Sequence, residues 1–454
     1  MTIPRGWAAA TIGDLVGRDG VFVDGDWIET KDQDPNGDVR LVQLADIGDG
    51  VFQDRSRRFL TSKTAHRLNC TFLREGDVLV ARMPEPLGRA TIFPGNLRPC
   101  ITAVDVCIVR TGVTGANHRW LMWTINSPEI RRKIGALQKG TTRRRISRSN
   151  LATIGFLVPP PAEQDRIVAE IEKQFTRLEA AVAALKRVQA NLKRYRAAVL
   201  KAACEGRLVP FNFVREVPLS DVLREPLVNG RSPSASNTGT AILRLTAMRT
   251  DSIDLEEVRL GELSGDQQRV FAVRRGDIFV SRGNGSIRLV GRASLVRNDP
   301  KDLIAFPDTM IRIRLNEQMC HPEYFLYVWN SEFVRSQIER TARTTAGIHK
   351  ISQRDMERMT IPLPSLQEQR ELVRKLQAKF STADRVADSI RVELRRADRL
   401  RQAILKRAFE GGLVPQDPND EPASVLLERI RAEHVAGKTP YSKVRRIRRA
   451  MVAG

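Results

Sequence analysis

Apolar positions along this chain follow two different rhythms. Between residues 167 and 199 they fall at Ile167, Ile171, Phe175, Leu178, Val182, Leu185, Leu192, Tyr195 and Val199. Steps of four and three average close to 3.5, the period that keeps one helical stripe facing a partner helix. The same steps return at Leu372, Leu376, Phe380, Ala383, Ala387, Ile390, Ala397, Leu400 and Ile404, each 205 positions on. Pro159-Pro160-Pro161 and Pro362-Leu363-Pro364 stand before the two runs, and Gly206 and Gly411-Gly412 close them. Proline blocks helix upstream and permits it downstream, while glycine ends a helix. Two helices of about forty residues, roughly 60 Å each, are predicted. A lone amphipathic helix cannot bury its stripe, so the two are expected to pair as an antiparallel coiled coil. The seam would be built on Ile171, Phe175, Leu178, Val182 and Leu185 against Leu376, Phe380, Ala383, Ala387 and Ile390. The alternative is that each helix packs separately on its neighbouring domain.

Outside these runs the rhythm shortens. Val78-Leu79-Val80, Ala103–Val109, Asp277–Val280 and Met310–Leu315 are β-rich and separated by Gly, Asp, Asn and Pro turns. Helix-like stretches around Trp120–Ile134 and Pro322–Arg340 carry the matched pairs Asn126-Ser127 and Asn330-Ser331. The expected class is α/β (α+β), with two globular heads separated by the paired helices. The divisions are 1–158 for the first head, 159–210 for the first helix, 211–361 for the second head and 362–415 for the second helix. Residues 416–454 add a helical Ala423–His434 and a basic end, Lys443–Arg449, read as a solvated tail.

The repeat is the chain's main organising fact. Glu163-Gln164 is echoed by Glu368-Gln369, and Glu205-Gly206 by Glu410-Gly411, all at an offset of 205. Upstream, Gly76-Asp77-Val78-Leu79-Val80 is echoed by Gly276-Asp277-Ile278-Phe279-Val280 at an offset of 200. The helical part keeps strict register and the head tolerates insertion, as in a two-headed reader on a fixed spacer.

Composition narrows the function. At 454 residues the chain exceeds one core and suits two to four domains. Lys+Arg number 75 against 53 Asp+Glu, a net charge of +22. That excess implies a polyanion, because cations on nucleic acid release condensed counterions. No apolar run approaches the ~20 residues that span a bilayer, and no basic amphipathic helix with bulky anchors suggests a membrane surface. The N-terminus lacks a secretory pattern, so a cytoplasmic protein is expected. Five scattered cysteines form no CxxC pair, arguing against zinc or a disulfide framework.

Enzyme signatures fail one by one. Gly135–Thr142 resembles a phosphate loop but puts Thr141 where the lysine must stand. Gly283-Asn284-Gly285 lacks dinucleotide spacing, its next glycine being Gly291. Five single histidines give neither a metal nor a relay site. No catalytic residues are assigned.

Binding chemistry is better supported. A basic, glycine-bearing loop follows the Gly-Asp strand of each head: Arg82 to Arg89 in the first, Arg282, Asn284, Ser286 and Arg288 in the second. Arginine suits guanine or phosphate, asparagine suits adenine, and glycine lets backbone approach a ligand. A second loop precedes each long helix. It carries Thr141, Thr142, Arg143, Arg144, Arg145 and Arg148 in the first head, and Thr344, Thr345, His349 and Lys350 in the second. Hydroxyls, amides and cations are the usual equipment for phosphate oxygens. Recurrence at matched places favours function for the loops as units.

With these residues in place, the chain resembles the specificity subunits of type I restriction-modification enzymes. The likeness rests on Pro4-Arg5-Gly6-Trp7, the two Gly-Asp strands, the loops closing in Ile146-Ser147 and Ile351-Ser352, and the joints Val158–Gln164 and Leu363–Gln369. The helix ends Leu200–Gly206 and Leu405–Gly411 complete it, so it covers residues 1–415. The resemblance implies two target recognition domains, each reading half of a bipartite site in double-stranded DNA, with the helices as a ruler. It also implies two modification (methyltransferase) subunits using S-adenosylmethionine, and restriction subunits using ATP and Mg. The chain itself would bind no cofactor and catalyse nothing. Two departures stand out: Cys204 where the second copy has Phe409, and His349-Lys350 in place of an arginine run. The runner-up is a coiled-coil scaffold that holds nucleic acid by charge without sequence preference. A self-contained methyltransferase or nuclease is disfavoured for want of room.

Overall fold

The computed structural model describes residues 3–84, 86–95, 98–113, 115–140, 144–211, 214–345 and 347–436. It divides into two compact units, 1–184 with 393–454, and 185–392. Each unit therefore holds one head and half of each long helix.

The first head is built on a four-stranded antiparallel sheet in the spatial order Val21–Asp24, Val106–Arg110, Val78–Ala81, Ala90–Ile92. A three-stranded sheet, Phe59–Leu60, Val39–Val42, Cys100–Thr102, lies beside it with its last pair parallel. The second head repeats the plan: Val228–Asn229, Met310–Ile313, Ile278–Ser281, Ala293–Leu295, and then Val258–Gly261, Ala235–Leu243, Ile304–Ala305, again with one parallel pair. In both heads the Gly-Asp strand sits between two others and is buried on both faces, which its unbroken apolar run requires.

The aspartate of that motif is structural. Asp77 accepts the Arg74 amide at 2.8 Å, turning the chain into the strand, and pairs with Arg110 at 2.6 Å. Asp277 accepts the Arg274 amide at 2.9 Å and pairs with Arg314 at 2.6 Å.

Two local expectations change. The run Ala103–Val109 is not one strand: Val106 donates to the Ala103 carbonyl at 3.0 Å, making a turn between Cys100–Thr102 and Val106–Arg110. The helix-like stretches are each two helices, His118–Ile125 with Pro128–Ala136 and Pro322–Trp329 with Glu332–Thr341. The break falls at Asn126 and Asn330. Each of these amides bridges the backbone of a strand residue, Ala90 (2.9 and 2.8 Å) or Ala293 (3.0 and 3.0 Å). The backbone turns extended at the next residue, Ser127 or Ser331, which is the N-cap of the second helix.

The long helices run Pro161–Cys204 and Leu366–Phe409, and they form an antiparallel coiled coil. In the first unit the start of the first helix meets the end of the second: Ile167, Ile171 and Phe175 share a core with Ile404, Leu405 and Ala408. In the second unit Ala203 shares a core with Leu372, Leu376 and Phe380. Ile171, Phe175, Leu376, Phe380, Ala383 and Ile390 are buried, while Leu178, Val182, Leu185 and Ala387 are half-buried. Tyr195 and Leu400, read as stripe residues, are exposed instead. Their neighbours Arg196 and Arg401 take the seam. Arg196 lies 5.1 Å from the Phe380 ring and pairs with Asp384. Arg401 lies 4.1 Å from the Phe175 ring and pairs with Glu179 at 3.3 Å. A guanidinium can stack on an aromatic face and pair with a carboxylate together, so it tolerates a seam position.

Gln164 and Gln369, both fully buried, moor each helix to its own head. Gln164 accepts the Asn117 amide at 2.9 Å and donates to the Pro159 carbonyl at 3.0 Å. Gln369 accepts the His321 amide at 2.8 Å and donates to Met319 and Pro364 at 2.9 Å. The C-terminal helix Ala423–Ala436 docks on the first head, with the Ala423 amide on the Gly6 carbonyl at 2.9 Å, and Asp420 just before it pairs with Arg166 of the first long helix at 2.5 Å. The basic end Lys443–Arg449 lies outside the described residues.

Candidate nucleic-acid interface

The two loops singled out in each head are joined by one hydrogen bond. The Ile146 amide donates to the Arg82 carbonyl at 3.1 Å, and the Ile351 amide to the Arg282 carbonyl at 2.9 Å. In the first head Lys139 and Arg145 form an antiparallel bridge, each amide on the other's carbonyl at 2.9 Å, with Arg144 next to it. In the second head Arg343–Thr345 and Ile348–Lys350 form a hairpin, and Gly283-Asn284 adds a third strand to it. Segments about 65 residues apart in sequence thus make one surface per head.

The candidate residues sort by what they touch. Arg144 and Arg145 are exposed. Arg148 is exposed too, donating to the Phe22 carbonyl at 3.2 Å and lying 3.7 Å from Asp24. Thr141, Thr142 and Arg143 lie outside the described residues; Thr344 and Thr345 take part through their backbone strand, their side chains also lying outside what is described. Asn284 turns its Oδ1 back to the Ser286 amide at 3.0 Å, leaving its amide nitrogen for a ligand. Ser286, Arg288 and Lys350 are exposed and His349 is half-buried. Arg282 is half-buried, 3.5 Å from the Asp308 carbonyl.

Two first-head arginines do structural work instead. Arg82 pairs with Asp24 at 2.7 Å and donates to the Ile146 and Val104 carbonyls at 3.0 and 3.1 Å. Arg89, expected on the reading loop, is only 8% exposed. Its guanidinium donates to the carbonyls of Leu44 (2.8 Å), Ile47 (2.5 Å), Met83 (3.4 Å) and Pro86 (3.0 Å). It holds the loop closed from inside. Burial pulls its pKa below the ordinary arginine value.

Sequence reasoning missed the matching residue of the second head, Arg292. Gly88-Arg89-Ala90 and Gly291-Arg292-Ala293 are structural equivalents. The Gly88 and Gly291 amides donate at 2.8 Å to Ala81 and Ser281, and both glycines have positive φ, +76° and +73°. A Cβ there would come within 2.5 Å of Ile134 or 2.7 Å of Ile338. Arg292 has no side-chain hydrogen bond or ion pair among the described residues. The glycine before it was the available signal.

Among the described residues no group of three or more His, Cys, Asp or Glu side chains could hold a metal, and no helix is long and apolar enough to cross a membrane. Burial pushes the thiols of Cys100 and Cys70 up to about 11 and about 12.

A basic chain with a duplicated head, each presenting a composite polar loop surface beside a coiled coil, defines a tandem DNA reader. No family model matches it. It is 30% identical over 324 residues to the EcoKI specificity subunit of Escherichia coli K12, covering 67% of this chain and 69% of that one. It is 28% identical over 319 residues to the StySPI specificity subunit of Salmonella potsdam, covering 67% and 69%. Among solved structures, a chain of a type I R-M system superposes with a TM-score of 0.70 at 18% identity, covering 91% of this chain and all of that one. The HsdS subunit from Thermoanaerobacter tengcongensis superposes at 0.52 and 19% identity, covering 91% and 99%. The chain belongs to the specificity subunits of type I restriction enzymes. It is a DNA sequence-specificity subunit, and the charge-only scaffold is not favoured.

Proposed function

We propose that residues 1–158 and 211–361 are two target recognition domains, each reading one half of a bipartite, non-palindromic site. The helices, at 159–210 and 362–415, set the gap between the halves and dock two modification subunits. Those subunits supply S-adenosylmethionine and methylate adenine; restriction subunits add ATP- and Mg-dependent translocation and cleavage. The chain itself positions DNA and performs no chemistry.

The observation that supports this most is the paired composite surface, one per head, closed by the same hydrogen bond but carrying different side chains: Arg144, Arg145 and Arg148 in one, Asn284, Arg288, His349 and Lys350 in the other. A common scaffold with divergent tips suits two half-sites of different sequence. Arginine tips suit guanine or phosphate, and the amide nitrogen of Asn284 suits an acceptor such as adenine N7.

Single-molecule sequencing of the host genome with and without this gene tests the reading. Loss of one bipartite adenine-methylation motif on deletion is expected. An unchanged methylome in a host that expresses the modification subunit would overturn it. Exchange of residues 1–158 for another such head should alter one half of the motif only; a change in both halves would refute the modular assignment.

A further inference from the structure

Within the second unit, a cleft of about 690 Å³ lies between the head and the helices. Its walls include Tyr327 and Phe380, whose rings meet edge to face at 5.7 Å. Arg288, Arg292, Arg335 and Arg385 line it as well.

The charges in this cleft do not cancel. Asp251 pairs with Arg297 at 3.6 Å, Asp384 with Arg196, and Asp388 with Arg391 at 3.0 Å. The lining acids are thus already engaged. Arg288 and Arg292 have no side-chain hydrogen bond or ion pair among the described residues, and Arg385 reaches only the Thr382 hydroxyl of its own helix at 3.3 Å. Arg335 donates one terminal nitrogen to the Val290 carbonyl at 2.7 Å and pairs through Nε with Glu339 at 3.4 Å, while its other terminal nitrogen is buried with no partner. A buried guanidinium N–H left unmatched is unfavourable.

The first head shows what satisfies these positions. There Arg131, the counterpart of Arg335, donates to Asp49 at 3.0 Å and to Asn126 at 2.8 Å, and Arg89, the counterpart of Arg292, is sealed among four carbonyls. In the second head Arg292 has no partner among the described residues and lines the cleft, with the Arg335 side chain beside it. An anion with several acceptor oxygens supplies what is missing.

We propose that this cleft binds a phosphate group, through Arg292 and Arg385. The source favoured is the backbone of the bound duplex, because Arg288 belongs both to the cleft and to the loop that carries Asn284, so the cleft continues the reading surface. This rests on the DNA-reading function proposed above. The contact fixes position without reading sequence.

The test uses the full-length chain and its Arg292→Ala, Arg385→Ala and double variants. Affinity for a random-sequence duplex is measured by fluorescence anisotropy across a potassium chloride series. Each arginine on a phosphate contributes about 0.9 to the slope of log affinity against log salt, so the double variant should lose nearly 2. The ratio of affinities for specific and random duplexes should stay unchanged. In parallel, orthophosphate at millimolar concentration is tested for a rise in the thermal midpoint of each protein. If the slope is unchanged but orthophosphate stabilises the wild type and not the double variant, the cleft takes a free phosphate compound and the DNA source is wrong. If neither readout separates wild type from variants, the proposal is overturned. Failure of the wild-type chain, with its modification partner, to prefer any duplex would instead sink the DNA-reading function, and the orthophosphate arm would still decide the cleft.

Discussion

The two heads share strand order, the Gly-Asp turn and the hydrogen bond that joins their reading loops, yet they use matched arginines in opposite ways. In the first head Arg89 is a buried strut and Arg131 pairs with Asp49; in the second, Arg292 lines a cleft with no partner among the described residues, and Arg335 pairs with Glu339 of its own helix. The cause is local. From Arg82 to Arg89 the loop is three residues shorter than from Arg282 to Arg292, and its Met83 and Pro86 carbonyls fold over the guanidinium. Residue type at a repeated position therefore does not determine its role. What decides is whether enough acceptors lie within reach to consume its donors.

The largest expected effect separates the heads at the Gly-Asp turn. Asp77→Ala leaves Arg110 buried without its carboxylate, which costs about 3–5 kcal/mol for a broken buried pair. Asp277→Ala should cost less, because Arg314 keeps Glu225 at 3.0 Å. Hydrogen exchange followed peptide by peptide reads each head separately, which a single melting curve for two units cannot do. Equal losses of protection in the two heads would show that Glu225 does not compensate.

Next comes Arg89 against Arg292. Arg89→Ala strips a donor from four carbonyls and opens a buried space, a loss of about 2–4 kcal/mol in the first head. Arg292→Ala touches nothing that holds the fold and should stay within about 0.5 kcal/mol of wild type. Chemical denaturation with exchange on head-specific peptides measures both. A destabilising Arg292→Ala would mean that the side chain has a structural partner and that the contrast between heads is false.

Much of this was written in the sequence, and the exceptions are instructive. The helices were legible because Ile171, Phe175, Leu376 and Phe380 repeat at coiled-coil spacing between proline and glycine punctuation. Arg196 and Arg401 were not. A charge at a seam position breaks the apolar pattern, so the stripe was drawn one residue away, through Tyr195 and Leu400. Only the pairing of Phe380 with Arg196, and of Phe175 with Arg401, shows why a cation fits. Arg89 escaped for a different reason: the Leu44 and Ile47 carbonyls that hold it come from more than forty residues upstream. Local spacing carries the rod and the strands. It cannot carry a contact supplied by a distant loop.

The smallest effect is a difference in acid sensitivity. His118 opens the helix His118–Ile125, and its Nε2 accepts the Thr111 amide at 3.3 Å, so the fold holds the ring neutral. Burial lowers its pKa below the ordinary 6.5; Asp77 opposes that shift, and Arg110 adds to it. A histidine with a lowered folded pKa contributes stability that is complete above its unfolded value and is lost as pH falls below about 6.5, levelling once the folded pKa is passed. The second head has Pro322 at the matching helix start, with its histidine, His321, one residue earlier at the cap. The first head should therefore lose exchange protection as pH falls below about 6.5, and by more than the second head does. His118→Gln keeps an acceptor for the Thr111 amide without a titrating ring and should flatten the first head's profile. If that variant keeps the full pH slope, the sensitivity comes from other groups and the histidine is a spectator.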